Sequence, residues 1–182
     1  MPSFVRRVPQ GDDRERLICS DCSFVAYENP KIVVGSVVAV GDGVLLCRRA
    51  IDPRAGFWTL PAGYMEMGET VTEGAQREAW EEARARIAIE GVLAVYSFAR
   101  LSQVQIFFRA SLAEPGFAAG PESREVKEFG WDEIPWDEIA FPSVRWALRT
   151  WHDSRGVSLT AAALNPSEDV RGTLPLPGDP HG

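Results

Sequence analysis

The stretch GYMEMGETVTEGAQREAWEEAR, Gly63 to Arg84, limits the fold more than any other part of the chain. From Val71 to Ile87 it has a single glycine, Gly74, and no proline, and it is rich in Ala, Glu and Arg, which predicts a helix. Thr70 followed by Glu73 fits a capping box at its start. With 3.6 residues per turn, Glu78, Glu81 and Glu82 are three and four apart and share one face. Like charges so placed repel. Either that face is solvated, or something positive sits among the carboxylates. Glu/Arg-rich helices are ordinarily solvated faces held by i,i+4 pairs. Here Arg77, Arg84 and Arg86 are not spaced to neutralise all three glutamates. The helix also follows GFWTLPAGY, a short strand with a Gly/Pro-punctuated end where backbone can approach a ligand closely. Three carboxylates from one face, with Glu66 and Glu69 in the loop before it, suit a hard divalent cation such as Mg2+ or Mn2+.

Around this stretch, strand and helix signals interleave, which predicts a mixed α/β or α+β class. KIVVGSVVAV (Lys31 to Val40) is strongly β-prone; Gly41-Asp42-Gly43 is a turn and VLLCRR (Val44 to Arg49) a returning strand. GVLAVYSFARL and QVQIFFRASL, Gly91 to Leu112, read as two further strands, and VKEFGW (Val126 to Trp131) as a short one. Val144, Ala147, Leu148 and Trp151 recur at helical spacing within Ser143 to Ser154. Residues 1–30 read as a small irregular N-terminal element, 31–155 as the main domain and 156–182 as an irregular, proline-rich arm.

The 182 residues are 45% hydrophobic, enough for a real core, and carry a formal net charge of -7. Such an acidic chain is not expected to take nucleic-acid backbone as its partner, because that needs clustered Lys and Arg. An acidic enzyme still binds phosphates where a metal ion supplies the positive charge. No run approaches the roughly 18 apolar residues of a membrane helix, and no signal-peptide segment is seen, so the expected compartment is the cytoplasm. The three cysteines, an odd number, argue against a disulfide framework.

Gly63, five residues, Glu69, seven residues, then Arg77-Glu78-Ala79-Trp80-Glu81-Glu82 resembles the signature of the Nudix hydrolases, G-x5-E-x7-R-E-U-x-E-E-x-G-U with U a bulky aliphatic. Every fixed glycine or charged position through Glu82 matches. Ala79, Arg84 and Ala85 depart from it; Arg84 stands where a glycine belongs, at the helix exit. The resemblance extends from Lys31 to about Trp151. It implies an α/β/α sandwich with a mixed sheet and a hydrolase cleaving nucleoside diphosphates linked to another moiety. It further implies that Glu78, Glu81 and Glu82 hold Mg2+ or Mn2+ with the backbone carbonyl of Ala62 or Gly63, and that Arg77 pairs with Glu69 to set the loop on the helix. The general base lies either in this box or on a later loop, where Glu122, Glu125 and Glu128 are candidates and Glu125 is favoured.

The N-terminal part, with YENPKIVVG and SQVQIFFRA, resembles a Nudix subgroup bearing a zinc-ribbon-like element and acting on ADP-ribose, FAD or related dinucleotides. The SQPWPFPxS array of the NADH-cleaving subgroup is absent, leaving ADP-ribose or FAD as the expected substrate class. Tyr96, Phe98 and Phe108 are candidates for stacking on adenine, against the ordinary reading of strand aromatics as core. Cys19 and Cys22 form one CxxC, whereas a structural zinc needs four ligands, so a degenerate ribbon is expected over a zinc site. Relatives are usually homodimers, and a homodimer is expected here. The competing reading is a Nudix-fold nucleotide sensor with weak or no catalysis; the three retained glutamates speak against it.

Overall fold

The computed structural model describes residues 2–173, and the chain folds as two compact units, Met1–Pro30 and Lys31–Gly182. The first unit is more regular than expected. Strands β1 (Phe4–Arg7), β2 (Arg16–Cys19) and β3 (Val25–Ala26) form an antiparallel three-stranded sheet, with Phe4 opposite Cys19 and Leu17 opposite Ala26. All four β1 residues are exposed, so no inward–outward alternation marked it as a strand. Cys19 is buried and Cys22 exposed, both as free thiols. The backbone amides of Cys22 and Asp21 hold the Cys19 thiol below its usual value.

The second unit is built on strands β4 (Lys31–Val40), β5 (Gly43–Arg49), β6 (Trp58–Thr59) and β7 (Ala62–Tyr64), helix α1 (Val71–Ala83), strands β8 (Ile87–Phe98), β9 (Gln103–Leu112) and β10 (Ser123–Phe129), and helix α2 (Pro142–Asp153). The sheet order is β10-β5-β4-β9-β8; β4 and β9 run parallel, the other neighbours antiparallel. The β4–β5 hairpin is paired only near its turn, at Ala39–Val44 and Val40–Gly43. Beyond it the two strands diverge. The stretch expected as one strand splits around Leu60–Pro61 into β6, which pairs with β5, and β7, which pairs with β4.

The period of two along β4 and β5 assigns the two layers. Val37, Val44 and Leu46 join the core under α2, with Tyr96, Phe107, Val144, Leu148 and Trp151. Val38, Leu45 and Cys47 join the core under α1, with Ala79 and Ala83; Val34, Phe108 and Ala75 extend that layer. One helix on each face of a mixed sheet is the α/β/α sandwich. The predicted capping box is present: Glu73 N–H donates to Thr70 Oγ1 at 3.2 Å and Thr70 N–H to Glu73 Oε2 at 2.7 Å.

Helix α1 ends at Ala83, four residues short of its expected end. Arg84 adopts φ 50°, ψ 26°, and its N–H closes onto the carbonyls of Ala79 and Trp80. Left-handed backbone terminates a helix, and the following alternation of Ile87 and Ile89 starts β8. After α2 the chain returns along β8. Ala163 pairs with Leu93 and Val95, Asn165 bonds Ser97 through its side chain, and Ala99 N–H reaches Arg171 O. The prolines after Thr173, which led to the reading of an irregular arm, lie outside the described residues.

Candidate active site

Two close approaches assemble the site. A Cβ at Gly63 would overlap the Glu78 carboxylate, so β7 touches α1 there only because this residue has no side chain. On the other side the loop before β10 is sewn to the end of α1: Ala118 N–H donates to Ala83 O at 2.8 Å and Gly120 N–H to Glu82 O at 3.0 Å, with no room for a Cβ at Gly120. Ala62, Gly63, Glu66, Arg77, Glu78, Glu81, Glu82 and Glu122 consequently line one end of a single cleft of ≈ 680 Å³.

Arg77 organises the carboxylates. Its Nε and Nη2 donate to the two oxygens of Glu69 at 3.0 and 2.8 Å, a bidentate pair, and Nη2 also donates to Tyr64 O at 3.0 Å. Its Nη1 donates to Glu78 at 2.7 Å and Glu81 at 2.9 Å. Arg77 thus ties the loop to the helix and lies between two of the acids. The Glu69 carboxyl is held down to about 2, chiefly by the Arg77 hydrogen bonds. Glu82 has no such partner. Its carboxylate accepts Ala62 N–H at 3.0 Å and is 5% exposed. Burial pushes it up to about 8 against the pull of that N–H, with Glu78 and Glu122 adding repulsion. Burial also raises Glu78, against the opposing pull of Arg77. The donor chemistry is therefore a set of oxygen anions with too little positive charge, which fits a hard divalent cation. Among the described residues no three His, Cys, Asp or Glu are gathered at ligating distance; Arg77 stands between Glu78 and Glu81.

Four of the expected candidates, Glu125, Glu128, Tyr96 and Phe108, lie outside the cleft. Glu125 is outside the cleft, with its side chain 48% exposed and 3.8 Å from Arg48; the β10 register turns it away, and Glu122, one of its two alternatives, lines the cleft instead. Glu128 sits by the Gly41–Gly43 turn. Tyr96 is 1% exposed, packed against Trp146 and Phe107, with its hydroxyl 3.3 Å from Thr150 Oγ1; it is core and does not reach the cleft. Phe108 is core under α1. Phe98 does line the cleft, but one face of its ring is stacked on Trp146 at 5.6 Å. The sequence reading missed Arg49, Tyr64, Gln103 and Gln105, all in the cleft wall. The available signal was QVQ at the start of β9: two amides, two residues apart, on one side of the strand.

A sandwich whose loop–helix stretch presents these carboxylates beside a glycine-lined strand defines the Nudix hydrolases, a class acting on phosphoanhydrides. The comparison with family models agrees: residues 29–153 match the NUDIX domain and residues 3–28 the Nudix N-terminal zinc-ribbon model, and the chain belongs to the Nudix hydrolase family. It is similar to a solved NUDIX hydrolase from Nitrosomonas europaea, 43% identical with a TM-score of 0.84 over 90% of this chain and 94% of that one. It is similar to the ADP-ribose pyrophosphatase of Methanocaldococcus jannaschii, 29% identical over 119 residues, 63% of this chain and 69% of that protein. It also resembles the NAD-capped RNA hydrolase NudC of Haemophilus influenzae, 35% identical over 80 residues, 42% of this chain but only 30% of that protein. No helix among the described residues is long and apolar enough to cross a membrane.

Proposed function

We propose that this chain is a metal-dependent pyrophosphohydrolase that cleaves the diphosphate of ADP-ribose or FAD to AMP and the other phosphorylated moiety. The observation that carries the reading is the buried Glu82 carboxylate, set in one cleft with Glu78, Glu81 and Glu122, where the pull of Arg49 is outweighed by burial and by the neighbouring acids. The similarity to an ADP-ribose pyrophosphatase supports the substrate class.

In this reading Glu78, Glu81 and Glu82, with the backbone carbonyl of Ala62, hold Mg2+ or Mn2+. The cation, when bound, neutralises the diphosphate and lowers the pKa of a coordinated water. The protein's own groups do the rest. Arg77, gripping Glu69, keeps the loop and helix in register. Glu122 takes the proton from the attacking water, a role its position in the cleft suits better than that of Glu125. Walls of Phe98, Phe107 and Phe141 keep bulk water from the substrate. The homodimer and the cytoplasmic location expected from the sequence remain part of this reading, and sedimentation of the purified chain checks the first. Cys19 and Cys22 supply half the donors of a closed zinc site, and the element they anchor is read as structural packing without zinc.

The test is AMP release from ADP-ribose and FAD with Mg2+, with Mn2+ and with chelator, for the wild type and Glu82→Gln. Turnover should require the cation and should fall at least ~10²-fold in the variant. The variant should melt no lower than wild type without metal, because a carboxyl whose folded value is raised costs stability at neutral pH. An unchanged rate in Glu82→Gln at saturating Mg2+ removes the ligand assignment; nucleotide binding without turnover in the wild type would favour a sensor.

A further inference from the structure

We propose that Tyr64, Gln103 and Gln105 form the nucleobase subsite of the cleft and read the polar edge of an adenine ring. The inference rests on the pyrophosphohydrolase reading and names the part of the substrate held away from the carboxylates.

Strand pairing puts these residues together. Tyr64 on β7 is opposite Val33 on β4, and Val33 is opposite Gln105 on β9, so the three cross the sheet in one row. The row spans two strand spacings, roughly 10 Å. Gln103, two residues earlier in β9, projects from the same side. The side chains are joined: Gln105 Nε2 donates to Gln103 Oε1 at 3.3 Å, and Gln103 Nε2 to the Tyr64 hydroxyl at 3.0 Å. Among the described residues none of the three side chains makes a further hydrogen bond. The ladder therefore keeps unspent capacity at the cleft: the Gln105 carbonyl oxygen, the second hydrogen of each amide and the Tyr64 proton.

Three further observations fit a base. The three side chains of the ladder are themselves uncharged, which suits a neutral group; the cation at their border, Lys31, is opposite Gln103 and lies over the Tyr64 ring, its Nζ 5.2 Å from the centroid. Ile51 and Leu101, 43% and 51% exposed, rim the same cleft as apolar side chains that the chain leaves open to solvent, and Phe141, also in the cleft wall, carries the Arg49 guanidinium 5.2 Å over its ring. Apolar walls beside a polar edge are what a heterocyclic base requires, since its faces are apolar and its rim is not. Finally, Tyr64 directly follows Gly63, which lies against Glu78, so the ladder starts where phosphates would be held and runs away from them. An adenine offers an amino donor beside a ring-nitrogen acceptor, and one amide group meets both at once.

The experiment is calorimetric titration of the full chain, with Mg2+, using AMP and ribose 5-phosphate as probes. Wild type should bind AMP more tightly than ribose 5-phosphate. Gln105→Leu and Gln103→Met, verified as folded by their melting curves, should each weaken AMP about tenfold and leave ribose 5-phosphate unchanged. Equal affinity of wild type for the two probes overturns the proposal, and that arm needs no variant to fold. Unchanged AMP affinity in the variants overturns it as well. Equal losses for both probes place the ladder on the sugar and also overturn it. Binding needs no turnover, so a protein that prefers AMP but hydrolyses nothing would refute the enzymatic reading alone.

Discussion

Helices α1 and α2 cover opposite faces of one sheet and are held there by different means. Helix α2 buries Val144, Leu148 and Trp151 in the larger core, has no side-chain cap and begins with Pro142, whose missing N–H costs nothing at that position. Its attachment is hydrophobic burial. Helix α1 turns Ala75, Ala79 and Ala83 to the sheet, one turn apart, and all three are fully buried. These small residues remove little apolar area from water. What they provide is proximity: the helix backbone lies close enough for Glu78 to rest on Gly63 and Glu82 to accept from Ala62. A helix that carries buried carboxylates this way must draw stability from its ends. The capping box at Thr70 and Glu73 supplies one end. The other is the tight Arg84 turn.

The contrast can be tested in order of expected effect. Leu148→Ala in α2 should cost about 3 kcal/mol, transfer and cavity together, and lower Tm by roughly 6–12 °C in a thermal melt. Thr70→Ala in α1 removes one capping partner and should cost about 1 kcal/mol, roughly 2–4 °C. If the two losses were equal, the distinction between burial and end-capping would fail. Arg84→Gly should go the other way. A glycine adopts φ 50° without the Cβ penalty, and after the loss of the Arg84 stack on Trp80 and the added unfolded-state freedom, a net gain of up to about 1 kcal/mol is expected in chemical denaturation. A loss of stability there would mean that the arginine stack, rather than backbone strain, dominates the helix exit.

The same contrast explains what could be read without coordinates. Helix α2 showed itself by periodicity, because Val144, Ala147, Leu148 and Trp151 mark its buried stripe. The α1 site was legible through spacing: Gly63, Glu69 and the Arg77–Glu82 run are fixed relative to one another by a single turn and a single helix. What could not be read depended on long-range pairing. Glu122 and Glu125 are three residues apart in a charged stretch, and only the stitching of Gly120 to Glu82 decides which of them faces the carboxylates. Tyr96 and Phe98 both sit in an aromatic strand; α2 covers the first, while the second reaches the cleft wall. The Tyr64–Gln103 contact joins β7 to β9 across a strand between them, a partnership no local pattern encodes.

Asn165 has a consequence for self-association. β8 is the last strand of its sheet, and such an edge is an open template for another copy to zip onto. The Asn165 amide occupies both backbone groups of Ser97, at 2.7 and 2.9 Å, as a neighbouring strand would, while Ala163 takes the adjoining ones. The border is thus plugged by the chain's own tail. The opposite border, β10, is studded with Arg124, Glu125, Lys127 and Glu128, and a second copy paired there antiparallel about Val126 would set Arg124 against Glu128 and Glu125 against Lys127. A strand-to-strand dimer of this chain would then use β10, and cutting the chain back to Ala162 would reopen the β8 border to a second copy.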